Sequence, residues 1–170
     1  IRRQRQMCIR DRVAARCLVV GDGSERPHIE SEISRLGLGA DVGISGYQMD
    51  VRPYVAACDV MVLASRSVET FSLSALESMA MGKPMVMTRT GGASEQVDDG
   101  RTGFLYEPGD IDRLARHLRT LSDRAVSRPM GLLAAETVRG RFTLEKMIAA
   151  YSALLERLAE ASRVRTPTPA

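Results

Sequence analysis

The sequence predicts an α/β fold with a doubly wound parallel sheet, on three observations. Short apolar runs rich in β-branched residues recur along the chain. Helical patterns with one apolar face separate these runs, and turns containing Gly or Pro join the two. This alternation is typical of parallel strands linked by crossover helices. A length of 170 residues with 44% hydrophobic content fits one such domain with a buried core.

The individual elements follow from local patterns. Strands are predicted at residues 14–20, 42–45, 60–64, 85–88 and 103–106. Helices are predicted at residues 25–36, in a short segment ending at 57, at 74–81, around 95–97, from 110 to 121 and over 144–158. The first strand is followed by Gly21 and Gly23, which match the start of a dinucleotide-binding fingerprint. Arg26 stands where the third glycine should be, so the fingerprint is broken.

The most informative stretch joins the strand at residues 60–64 to the helix at residues 74–81. Glu69 lies on the connecting loop and Glu77 about one turn inside the helix, so the two carboxylates flank a helix N-terminus. Such a terminus presents unpaired amides and a partial positive charge that suit a phosphate. Carboxylates on either side suit the hydroxyls of a sugar or ribose. The pattern therefore predicts a nucleotide-sugar pocket.

Both carboxylates also have a purely structural interpretation. Ser74-x-x-Glu77 fits a capping box, in which Glu77 would only satisfy a backbone donor. Glu69 could be a solvated loop residue. The two residues alone leave these alternatives open.

Two further segments are considered as possible contacts of a sugar or a metal ion. Gly91 and Gly92 follow the fourth strand, where a sugar could lie close to the backbone. Asp110-Ile111-Asp112 has the spacing of an Asp-x-Asp metal motif. It opens a helix directly after Pro108-Gly109, however, so Asp110 is expected to be an N-cap and no metal site is expected.

Composition and charge indicate which kinds of binding partner and which cellular compartment to expect. The net charge is +3 with scattered arginines, and there are three Phe, four Tyr and no Trp, so nucleic-acid binding is not indicated. Cys8, Cys17 and Cys58 have no metal-ligand spacing, and buried thiols of a reducing compartment are expected. No membrane span or signal peptide is visible, so a cytoplasmic location is expected.

The chain divides into three predicted parts. Residues 1–12 are basic and without a helical or strand period, and Met7–Arg12 (MCIRDR) resembles a translated sequencing adapter of the kind that contaminates metagenomic reads. Residues 13–161 form the predicted domain. Residues 162–170, with their prolines, are expected to be a disordered tail.

The order of these motifs along the chain also resembles that of a known protein family. Glu69-x7-Glu77, then ALESMAMGKPMV and GGASEQVDDGRTGFLYEPGD, resemble the C-terminal donor-binding domain of the retaining GT-B glycosyltransferases called group 1 or family 4, which has a Rossmann-like sheet. The resemblance covers roughly residues 14–159. It implies that Glu69 meets the transferring sugar and that Glu77 holds the ribose. The amides of four residues are implied to meet the sugar and the distal phosphate: Thr70, Phe71, Ser72 and Leu73. Ser72 replaces the glycine more usual at its place, which bears on loop shape and donor choice.

The same resemblance extends the site to the first half of the chain. It implies that Gly21 and Gly23 shape the pocket wall, with a plain strand-to-helix turn as the alternative. It places the nucleobase against the loop that contains Tyr47 and Gln48, which would act through their backbone groups. Arg52 could reach a phosphate or remain on a solvated helix face.

The implied activity is transfer of a hexose from a nucleoside-diphosphate sugar to an unidentified acceptor with retention, without a cofactor or essential metal. The acceptor domain and the Arg and Lys that clamp the diphosphate are expected upstream of this chain. The fragment alone is therefore expected to be a poor catalyst, and peripheral membrane contact is expected only through the missing half. The alternative is a non-catalytic Rossmann-like nucleotide-binding module or an oxidoreductase half. The broken fingerprint and the lack of an acidic residue ending a second strand count against it.

Overall fold

The computed structural model describes residues 15–66 and 69–165. Along the chain the elements are β1 (Cys17–Val19), α1 (Arg26–Leu36), β2 (Val42–Ile44), α2 (Arg52–Ala57), β3 (Met61–Leu63), α3 (Leu73–Ala80), β4 (Met85–Thr88), α4 (Ala93–Gln96), β5 (Gly103–Tyr106), α5 (Ile111–Leu121), α6 (Arg124–Arg141) and α7 (Leu144–Arg165). The alternation of strands and helices confirms the α/β class. The adapter-like segment at residues 1–12 lies outside the described residues.

Every strand pairing within the described ranges is parallel, as predicted. β1 pairs with β2, and β3, β4 and β5 form a second sheet in that order. The prediction of parallel strands is therefore confirmed, but the described strands form two separate sheets and not the single sheet that we expected. Within the described part of the chain, β4 is the one strand with a hydrogen-bonded neighbour on both sides.

The core is built on both faces of β4, all four residues of which are buried. Met85 and Met87 pack on one face with residues of α3 and α6, including Met79 and Ala134. Val86 points to the other face, where it packs with side chains of α5 and α6. Alternate side chains of β4 therefore belong to two separate core clusters, and α6 contributes to both of them.

The part of the chain up to the end of β3 contributes little to this core. Among residues 15–66, only Gly46 and Val55 are buried. Val62 in the middle of β3 is 42% exposed, so the prediction of a buried strand there is wrong. Cys17 is also exposed, contrary to the expected buried thiol. Within the described ranges both strands have a hydrogen-bonded neighbour on one side only, but this alone does not explain the exposure, because β5 also has one neighbour and three of its four residues are buried.

The last helix, α7, forms as predicted, but its apolar stripe packs on no buried cluster of the described residues. The stripe consists of Leu144, Met147, Ile148, Tyr151, Leu154, Leu155 and Leu158, all between 43% and 63% exposed. The helix continues to Arg165, so the predicted disordered tail at residues 162–170 is wrong for its first residues. Within the described ranges, no helix has both the length and the apolar character that a membrane crossing requires.

Candidate functional site

The loop between β3 and α3 ends in a helix N-terminus with unused donors. Ser72 is the N-cap, and its Oγ accepts a hydrogen bond from the N–H of Ala75 over 3.2 Å. The N–H groups of Thr70, Phe71 and Leu73 make no hydrogen bond to any residue in the described ranges. Thr70 is exposed, and Leu73 is 70% exposed. The terminus therefore presents backbone donors and the positive end of the helix dipole to solvent.

Glu77 lies on the exposed side of α3, about one turn from this terminus. Its carboxylate forms no hydrogen bond or ion pair within residues 15–66 and 69–165. The capping-box interpretation through Ser74 is wrong, because Ser72 caps the helix and the Ser74 Oγ lies 3.0 Å from the Ser72 Oγ instead. No structural task within the described residues therefore accounts for Glu77.

Glu69 is half-buried on the loop, and its carboxylate likewise has no partner in the described part of the chain. Its backbone, in contrast, is closely packed. A Cβ on Gly91 would lie 1.8 Å from the carbonyl oxygen of Glu69, and Gly91 has a φ of +50°. The backbone of this residue is therefore fixed by a glycine contact while the side chain is unpaired.

The Gly91–Gly92 pair packs against the backbone of the loop that contains Glu69 and Thr70. The N–H of Gly92 donates to the carbonyl oxygen of Thr70 over 3.0 Å, and a Cβ on Gly92 would lie 2.3 Å from that oxygen. The glycines make room for the loop backbone. The expectation that a sugar lies close to these two glycines stays a prediction.

Gln96 is a functional candidate that sequence reasoning missed. Its Oε1 accepts from the N–H of Ser72 over 3.0 Å, and its Nε2 donates to the carbonyl oxygen of Ser72 over 2.8 Å. The side chain is 1% exposed. The resemblance implies that the Ser72 N–H binds the nucleotide-sugar. In the structure, this N–H already donates a hydrogen bond to Gln96 inside the protein.

Phe71 contributes its side chain to packing. Its ring meets the ring of Phe142 edge to face, with centroids 5.5 Å apart, and the Arg141 guanidinium lies 4.9 Å from the Phe142 centroid. These contacts attach the loop to the end of α6. The backbone N–H of Phe71 has no partner in the described residues and remains available for a ligand.

The turn after β1 is held by its own hydrogen bonds. Gly21 has a φ of +128° and donates to the carbonyl of Gly46 over 3.0 Å. The Asp22 carboxylate accepts from the N–H of Gly23 and pairs with Arg26, and these two contacts hold the pKa of Asp22 below its usual value. The turn lines a cavity of about 220 Å³ together with side chains of α1 and β2. Glu69 and Glu77 do not line this cavity.

The remaining site candidates lie between β2 and α2. Tyr47 is 76% exposed, and the Gln48 side chain donates to the carbonyl of Ser45 over 3.0 Å. Arg52 forms two hydrogen bonds of 2.8 Å with the Asp50 carboxylate. Its guanidinium is therefore paired, and contact with a phosphate would require it to leave Asp50.

The predicted N-cap at Asp110 is confirmed, because its Oδ1 accepts from the N–H of Arg113 over 2.9 Å. No group of three metal-ligating His, Cys, Asp or Glu side chains occurs in the described residues. The Asp-x-Asp spacing is thus explained by helix capping.

A family model described as "Glycosyl transferases group 1" matches residues 3–124 of the chain. The chain belongs to the group 1 glycosyltransferases. Within this family, the lipopolysaccharide core biosynthesis glycosyltransferase LpsE of Rhizobium meliloti is 35% identical over 138 residues. The N-acetyl-alpha-D-glucosaminyl L-malate synthase of Bacillus anthracis is 37% identical over 143 residues. These matches cover 81% and 84% of this chain but only 40% and 37% of the two relatives.

Solved structures agree with this assignment to the group 1 glycosyltransferases. Anabaena Alr3699/HepE in complex with UDP superposes with a TM-score of 0.79 at 29% identity, over 84% of this chain and 41% of the other. Its complex with UDP-glucose gives a TM-score of 0.77 at 29% identity, with the same coverage. The α/β architecture with parallel strands is therefore that of one part of a GT-B glycosyltransferase.

Proposed function

We propose that the β3–α3 loop binds a nucleoside-diphosphate sugar and that the full-length enzyme transfers the hexose to an acceptor with retention of configuration. The observation that carries this proposal is a pair of carboxylates, Glu69 and Glu77, that have no partner among the described residues and flank a helix N-terminus with unused N–H groups. The binding of UDP and UDP-glucose by Alr3699/HepE supports the class of ligand.

In this proposal the backbone N–H groups at the start of α3 bind the diphosphate. The N–H groups of Thr70, Phe71 and Leu73 donate to the distal phosphate, whose negative charge is stabilised by the N-terminal end of α3. Ser72 does not take part through its amide, since Gln96 already accepts that hydrogen. The same donors stabilise the diphosphate as it leaves the sugar, so a metal ion is not required for that step.

The two carboxylates have separate tasks in this proposal. Glu69 accepts hydrogen bonds from hydroxyls of the transferring sugar, close to the anomeric carbon where positive charge develops. Glu77 accepts from the ribose hydroxyls, one helical turn further along α3. Interactions at the sugar strengthen in the transition state, whereas those at the ribose serve ground state and transition state alike.

The rest of the catalytic machinery is proposed to lie outside the chain described here. The relatives are more than twice as long as the matched segment. We assign to that remainder the acceptor-binding domain and the cations that clamp the diphosphate. The loop at Tyr47 and Gln48 is proposed to meet the base through backbone groups, with Gly21 and Gly23 shaping the adjacent wall.

A thermal-shift panel tests the proposal. The 170-residue chain is heated with UDP, GDP, ADP, UDP-glucose or NAD, and at least one nucleoside diphosphate should raise the Tm as its concentration rises. The rise should be smaller for Glu77→Gln and unchanged for Glu95→Gln, which alters an exposed carboxylate on α4. Stabilisation by NAD alone, or by no nucleotide, would contradict a nucleoside-diphosphate site.

A further inference from the structure

The Gln96 amide and the Ser72 backbone form a closed pair of hydrogen bonds. Ser72 N–H donates to Oε1 over 3.0 Å while Nε2 donates to the Ser72 carbonyl over 2.8 Å. The partners also fix the orientation of the side-chain amide, because an N–H can only donate and a carbonyl can only accept. The pair is buried, with Gln96 1% and Ser72 4% exposed.

These two hydrogen bonds hold the backbone of Ser72, where the loop ends and α3 begins. The Ser72 N–H belongs to the peptide group shared with Phe71, and the Ser72 carbonyl belongs to the one shared with Leu73. The second peptide group is also held by the helix, since the Leu76 N–H donates to the same carbonyl over 3.3 Å. The Phe71–Ser72 peptide group has only Gln96 as its hydrogen-bonding partner in the described ranges. Because a trans peptide is planar, holding its N–H also sets the direction in which the chain enters from Phe71.

We propose that Gln96 is a positioning residue that aims the loop donors at the diphosphate, an inference that rests on the proposed function. It holds the Phe71–Ser72 peptide group, so that the N–H groups of Thr70 and Phe71 remain directed outward next to that of Leu73. Without Gln96 the helix keeps its Ser72 cap, but the Phe71–Ser72 peptide group loses the hydrogen-bonding partner that α4 gives it.

The residue type follows from the need for one donor and one acceptor at the same end of a buried side chain. An amide supplies both at neutral pH. An ionised carboxylate supplies two acceptors and would face the Ser72 carbonyl oxygen without a proton between them. A protonated carboxyl again supplies one donor and one acceptor. Burial favours this neutral form and raises the pKa at which a glutamate placed here would ionise.

Gln96→Glu therefore gives a variant with a pH-dependent defect. UDP, GDP and ADP are titrated calorimetrically into the parent chain, and the strongest of the three is used for all variants. Near pH 8 the Kd of Gln96→Glu should exceed that of the parent by about ten-fold or more, whereas near pH 5.5 the two should agree within about three-fold. Gln96→Met, which has neither donor nor acceptor, should bind about ten-fold more weakly at both pH values. The exposed neighbour on α4 provides the control, since Ser94→Ala should match the parent throughout.

The outcomes separate this inference from the proposed function. If the parent binds none of the three diphosphates, the proposed function fails, and amide hydrogen exchange then tests the inference: Gln96→Met should speed exchange of the Ser72 N–H while leaving that of Ala75, held by the cap, unchanged. If the parent binds and the affinities of both Gln96 variants equal that of the parent at both pH values, Gln96 does not position the loop. A lowered Tm with unchanged affinity and unchanged Ser72 exchange would equally overturn the inference.

Discussion

The backbones of Gly92 and Thr70 touch without any side chain between them. The Gly92 N–H donates to the Thr70 carbonyl over 3.0 Å, and a Cβ on Gly92 would lie 2.3 Å from the same oxygen. Gly92 has a φ of −79°, which any residue adopts. The requirement for glycine there therefore comes from the contact with the loop of Glu69 and not from backbone conformation.

Replacement of Gly92 by alanine is accordingly expected to displace this loop. We expect Gly92→Ala to lower the free energy of unfolding by about 1–3 kcal/mol through overpacking, and to weaken nucleotide binding. Gly39→Ala is the control, because a Cβ at Gly39 would meet nothing within 4 Å. Urea denaturation compares the two, and equal stability of both variants would show that the loop adjusts to the methyl group.

Two glycines of α6 provide a matched pair within one helix. A Cβ on Gly131 would lie 2.0 Å from the Gly82 carbonyl oxygen, whereas one on Gly140 would meet nothing within 4 Å. Gly140→Ala should stabilise the protein by up to about 1 kcal/mol through helix propensity. Gly131→Ala should destabilise it, since α6 would be pushed away from the turn that ends α3. A stabilised Gly131→Ala variant would contradict this close packing of α6.

The capping role of Asp110 can be separated from metal binding. Asp110→Ala should cost about 1 kcal/mol of stability, while Asp110→Asn, which can still accept from the Arg113 N–H, should stay close to the parent. Addition of Mn²⁺ should leave the Tm of the parent unchanged. A Tm that rises with Mn²⁺ in the parent but not in Asp110→Asn would indicate a metal site instead of a cap.

The environment of His117 leads us to expect that the free energy of unfolding depends on pH. Its ring stacks on Phe104 with centroids 4.3 Å apart, and its Nε2 is buried without a hydrogen-bond partner in the described residues. Burial, followed by the charge of Arg113, lowers the pKa of His117 below its ordinary value of 6.5, against the opposing effect of Asp99. The unfolded chain therefore binds a proton at a pH where the folded chain does not, and stability falls as the pH drops through about 6.5.

The test compares the parent with His117→Phe by urea denaturation between pH 7.5 and 5. The variant keeps an aromatic ring against Phe104 but cannot titrate, so its free energy of unfolding should fall less steeply over this interval. Parallel pH profiles for the two proteins would show that His117 does not titrate differently in the folded and unfolded chains.

Local signals predicted most of the elements. The turn at Gly21–Gly23 and the Asp110 cap each act within a few neighbouring residues, and the structure has helix or strand boundaries close to both of them. In contrast, α6 was not predicted, because Pro129 and two glycines interrupt its sequence. Its signal was present in the Asp123 cap and in the spacing of its apolar face, which is formed by Val126, Met130, Ala134 and Val138.

The site was predictable only in part for a similar reason. Glu69 and Glu77 stand out because their spacing relative to a helix start is local. Gln96 lies 24 residues from Ser72, and its role depends on a contact that no sequence period records. The exposure of Val62 could not be predicted from its apolar run either, because the burial of a strand residue depends on which distant elements cover it.

The most direct test of the account is steady-state kinetics of the full-length enzyme with Glu69→Gln and Glu77→Gln. If Glu69 acts at the transferring sugar, loss of its charge should lower kcat by about ten- to a thousand-fold, because the lost hydrogen bonds strengthen only as charge develops. Glu77→Gln should mainly raise the KM for the donor. Sugar transfer by Glu69→Gln at the parent rate would contradict the account, since Glu69 would then be only a loop residue.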